Sequence, residues 1–173
     1  AAGDLPDGDS PVLSRVKIDA GNIAALAGDE LGKDISSFLE TLFDDNADDQ
    51  ERLDAAAKLQ TLTSEMEKVT RVQQSVARQV GRRVRLAQAA VSAMQSGGAD
   101  TATRTLVNDL LVRTAVDYEN GNRIAHTEIA RKHYDTIRRS HPHIYKSIQP
   151  VFIDEYFNYN VHLVVSESLL SRI

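Results

Sequence analysis

Four of the five histidines in the chain fall in one stretch, DYENGNRIAHTEIARKHYDTIRRSHPHIY, from Asp117 to Tyr145. Imidazole and carboxylate groups are ligands for zinc and other transition metals, so their spacing decides whether they can share an ion. Glu119, His126 and His133 recur every seven residues, and Glu155 and His162 repeat that interval later in the chain. On a helix a seven-residue step keeps side chains on one face but advances them about 10 Å along the axis. A single ion cannot reach both. Helical metal centres use Glu-x-x-His, which delivers two ligands from adjacent turns, and neither that motif nor His-Glu-x-x-His occurs. A metal or small-ligand bundle, sensor or enzyme, therefore stands as the alternative expectation, and it requires the two stripes to meet across a helical core. No cofactor is expected.

Arginines make a second pattern. Arg71, Arg78 and Arg85 also repeat at seven residues, with Arg82 on the same face, and a row of guanidinium groups suits carboxylates or phosphates. Nucleic acid is disfavoured as the partner, because the net charge is −5, the aromatic residues lie elsewhere and no nucleic-acid motif is present. Pairing with acidic residues of the first helix is expected instead. A third feature is aromatic: six of the nine Phe and Tyr residues lie between Tyr134 and Tyr159. That end of the molecule, with Tyr145, Phe152 and Tyr156, is expected to serve as a contact surface beside the arginine row.

Other chemistry is excluded by what is missing. The DDNADD run at Asp44 to Asp49 resembles the first half of a calcium loop, but Asp49 stands where such a loop needs glycine and Ala55 where it needs glutamate. Its aspartates and asparagine suit a turn and a helix cap. No Gly-rich phosphate loop or nucleophile elbow occurs, and without cysteine there is no disulfide, thiolate ligand or thiol nucleophile.

The elements that must position these residues all read as helices. Residues 1–18 form an acidic arm with two prolines near its start, and residues 19–173 form one helical domain. Apolar residues from Ile23 to Leu42 predict a first helix over Asp19–Asp44. From Leu59 to Met94 a three-four spacing runs without proline, which predicts one long coiled-coil-like helix with Gly81 as a soft spot. Ser96 to Asp100, SGGAD, ends it, with Asp100 or Thr101 capping the next helix. A third stretch from Thr103 to Arg139 is interrupted by ENGN, and Pro142 and Pro150 each suit the first turn of a helix. The fold class is all-α: an elongated antiparallel bundle of about four helices.

Charge is unevenly spread. Residues 1–67 hold 16 acidic and 5 basic side chains, residues 68–173 hold 9 and 15, so the halves are complementary. No run approaches the roughly 20 apolar residues of a spanning helix, so membrane contact is expected only through segments outside this sequence. The start without methionine favours a periplasmic or extracellular setting over the cytoplasm. Together these features predict a bacterial helical-bundle module that binds other proteins or a second copy of itself, within a secretion or envelope assembly or as the extracytoplasmic part of a signalling receptor.

Overall fold

A computed structural model describes residues 11–66, 69–117 and 123–153, and every regular element in them is helical. The first helix, α1, is Pro11–Ala27. It starts earlier than Asp19, because Val12 and Val16 extend the apolar stripe of Ala20 and Ile23 upstream and pack with it. Residues 11–18 thus belong to a helix and not to an arm. The expected helix over Asp19–Asp44 is also broken, at Gly28, whose φ of 95° lies in the left-handed region that glycine alone enters freely. The chain turns there into α2, Asp29–Leu42, which folds back along α1. The two backbones approach so closely that a methyl group on Gly32 would sit 2.6 Å from the carbonyl oxygen of Ala24.

The acidic run works as a turn. Asp44 accepts a hydrogen bond from the backbone N–H of Asn46, and Asp48 accepts one from Glu51, capping α3, Asp49–Met66. Between α3 and the next helix lies the principal departure from the sequence pattern. The long helix over Leu59–Met94 is two helices: Thr70 is extended, accepts a hydrogen bond from the N–H of Gln73, and starts α4, Arg71–Gly97, which packs back against α3 as an antiparallel hairpin. A coiled-coil rod is therefore replaced by two shorter arms that bury their stripes against each other.

At about 40 Å, α4 is the longest helix and the central one, contacting α1, α3 and later helices. Its buried face, from Val76 through Val80, Val84, Ala87, Val91 and Met94, is wider than a two-stranded seam requires. Gly98 ends it in the left-handed conformation, and Asp100 caps α5, Thr101–Val112, by accepting from the N–H of Thr103 at 2.8 Å. A π-helical turn, Arg113–Asp117, follows α5 directly. Then come α6, Arg123–Ser140, and α7, Pro142–Ile148, with Pro142 in its first turn and a second π-helical turn, Gln149–Ile153, continuing it. Pro150 therefore extends a helix instead of opening one. The ENGN segment, Asn120 to Asn122 included, and residues 154–173, downstream of Pro150, lie outside the described residues.

Among the described residues, one hydrophobic core joins side chains from all seven helices, from Val16 on α1 to Phe152 in the second π-helical turn. Arg52 of α3 is buried within it. Its Nε donates to the carbonyl of Leu42 at the end of α2 and its Nη2 to the Oδ1 of Asn108 on α5, both at 3.0 Å, tying three helices together.

Candidate functional site: the arginine face of α4

α4 carries Arg71, Arg78, Arg82, Arg83 and Arg85, and no acidic residue occurs between Lys68 and Ala99. Burial sorts these five. Arg83 is 0% exposed and grips Asp19 of α1 as a fork: Nε donates to Oδ2 and Nη2 to Oδ1, each at 2.8 Å, while Nη1 donates to the carbonyl of Gln79. Two parallel charge-assisted bonds of this kind fix orientation as well as distance. They set the rotation of α4 about its own axis, so that Arg71, Arg78 and Arg85 are exposed. Arg82 is half-buried and donates to the carbonyl of Thr114 in the first π-helical turn, at 3.1 Å, which removes it from the exposed row. Neither Arg71 nor Arg78 has a hydrogen bond or ion pair among the described residues.

The expected pairing of this row with the acidic first helix is thus met by Arg83, an arginine outside the row. Elsewhere the two halves of the chain are joined by Arg15 with Asp117 at 2.8 Å and Arg104 with Asp49 at 2.9 Å. Asp117 is buried and burial pushes its carboxyl up despite Arg15, whereas the hydrogen bonds from Arg104 hold Asp49 down. At the start of α4, beside Arg71, two large apolar side chains stand in solvent: Val69 at 66% and Val72 at 53% exposure. The face therefore combines a row of cations with an apolar foot.

The aromatic end divides differently. Phe152 is fully buried in the core and cannot be a contact residue, because its ring fills space beneath α4 and α7. Tyr145 is half-buried against the same core. Tyr156 lies outside the described residues.

His133 has found a partner, but not the expected one. Its Nε2 lies 2.7 Å from Oδ2 of Asp109 on α5, and the same oxygen accepts from Nε of Arg113 at 2.6 Å. Burial alone would push the Asp109 carboxyl up; the hydrogen bonds from His133 and Arg113 outweigh it and bring it to about 2. The other members of the proposed ligand set, Glu119, His126, Glu155 and His162, lie outside the described side chains. Among the described residues no three His, Asp or Glu side chains gather as a metal site would require. His141 opens α7 and its Nδ1 sits 3.0 Å from the hydroxyl of Thr103, while His143 is exposed.

Beside the Asp109–His133 pair is a cleft of about 470 Å³ between α1, the Phe43–Asn46 loop, α5 and α6. Among the described residues no helix is long and apolar enough to cross a membrane. No family model, no curated protein and no solved structure matches the chain. The two most consequential polar groups, Asp19 and Asp109, were not singled out by spacing: 64 residues separate Asp19 from Arg83, and 24 separate Asp109 from His133, although Arg113 lies only four residues from Asp109.

Proposed function

We propose that this chain is a protein-interaction module whose α4 face binds an acidic helical segment of a partner. The observation that carries this reading is the row Arg71, Arg78 and Arg85, exposed on a helix that has no acidic residue of its own and whose rotation is set by the buried Arg83–Asp19 fork. Cations held on a rigid helix give register and partner choice, and the neighbouring Val69 and Val72 add apolar area that would be desolvated in a complex. A phosphate backbone suits the face less well, because α3, packed against α4, exposes Glu51, Asp54 and Glu65. The alanine- and arginine-rich helices favour a bacterial source. The wider setting of the proposal is a secretion or envelope assembly or the extracytoplasmic part of a receptor.

The test compares the wild-type chain with the R71E/R78E/R85E variant, each immobilised and exposed to lysate at low and high salt, with helicity checked by circular dichroism. The expected result is a protein retained by wild type, released by salt and absent from the variant. Retention that ignores the charge reversal, or retention of nucleic acid alone, would count against the reading.

A further inference from the structure

The cleft beside His133 has the composition of a small-ligand site, and no part of the α4 reading uses it. Its volume, about 470 Å³, falls in the range typical of ligand pockets, which are apolar with a few convergent polar groups. Val16, Phe43 and Leu106 supply apolar wall. The polar groups are lopsided in charge: Asp44, Asp45 and Asp109 line the cleft, and among its described lining residues His133 is the one side chain able to carry a positive charge.

What these groups have left to offer is definite. Asp109 commits Oδ2 to both Arg113 and His133, leaving Oδ1 with no partner among the described residues. Asp45 is exposed and likewise makes no hydrogen bond or ion pair among them, while Asp44 uses Oδ1 on the N–H of Asn46. Asn108 is over nine-tenths buried, at 8% exposure, and its carbonyl is taken by Arg52. Its amide NH₂ makes no hydrogen bond among the described residues, and Asn108 lines the cleft, so that amide is open to a ligand acceptor.

We propose that this cleft binds a small organic cation with an apolar body, an aryl- or alkylamine carrying a hydrogen-bond acceptor. The ammonium group faces Asp45 and the open oxygen of Asp109, the body lies on Phe43, Val16 and Leu106, and the acceptor takes the amide of Asn108. An anion of the same shape would meet three carboxylates and is rejected.

The test uses three probes on the full chain: tyramine, which has the amine, the ring and a hydroxyl acceptor; 4-hydroxyphenylpropionate, of similar shape but opposite charge; and methylammonium, a charge without a body. Binding is followed by heteronuclear NMR. Tyramine is expected to titrate saturably and to shift the signals of Phe43, Asn108 and His133, and D45N, an exposed change that spares the core, is expected to weaken it by roughly five- to tenfold, about 1 kcal/mol. The R71E/R78E/R85E variant should bind tyramine as wild type does, which separates this site from the α4 face. Binding of the anion as tight as that of tyramine, equal binding of methylammonium, shifts confined to other parts of the chain, or no saturable binding by any probe would each overturn the proposal.

Discussion

Asp109 shows how one carboxylate sets the acid tolerance of a helix junction. Its carboxyl is held at about 2, against 3.8 for an unperturbed aspartate, by His133 and Arg113 after burial has pushed the other way. A depressed value means that the ionised form is favoured by folding. The stabilisation is therefore present in full above the unfolded value, and it disappears as pH falls from about 4 through about 2. The difference corresponds to about 2 kcal/mol. Urea midpoints of wild type and D109N measured between pH 6 and pH 2 should converge as the pH falls, with wild type the more stable at the neutral end. A constant gap across that range would show that Asp109 acts by shape alone.

At the scale of elements, two glycines predict opposite outcomes. Gly81 sits inside α4 with open space where a Cβ would be, so alanine there removes backbone freedom from the unfolded chain without any clash. G81A should stabilise by about 0.5–1 kcal/mol. Gly32 faces the backbone of Ala24, which cannot move aside as a flexible side chain would, and G32A should destabilise by about 1–3 kcal/mol. Thermal or urea unfolding of the two variants checks both signs.

These elements also show what was legible beforehand. Helical character, the Asp48 turn, the Asp100 cap and Pro142 at a helix start all follow from local chemistry, which sequence displays directly. The split of the long helix was displayed too, as Thr70 three residues before Gln73, the spacing of a capping box, but the uninterrupted apolar pattern masked it. The candidate site was only half legible. Periodicity put Arg71, Arg78 and Arg85 on one face, whereas the inward turn of Arg83 and the burial of Phe152 depend on neighbours far along the chain.

Across the whole molecule, the acidic first half and basic second half meet most tightly at Asp19 and Arg83, inside the core, where salt screens little. Removing one partner leaves a buried charge unmatched. D19N should cost about 3–5 kcal/mol, and the double variant D19L/R83M should recover most of the loss. Equilibrium unfolding of the three proteins decides it: a double variant no better than D19N would mean that the fork has a role that apolar packing cannot replace.

The bend at Thr70 has one more consequence, for how this sequence tolerates change in length. In an unbroken helix, one inserted residue rotates everything downstream by about 100° and turns the apolar stripe away from its partner. Because the chain reverses at Thr70 and α4 takes its phase afresh from the Asp19 fork, an extra residue in the turn lengthens a loop and leaves both stripes in place. The hairpin thus uncouples the phase of its two arms, and the α3–α4 bend is the place where this protein can gain or lose residues without rotating its arginines off their face.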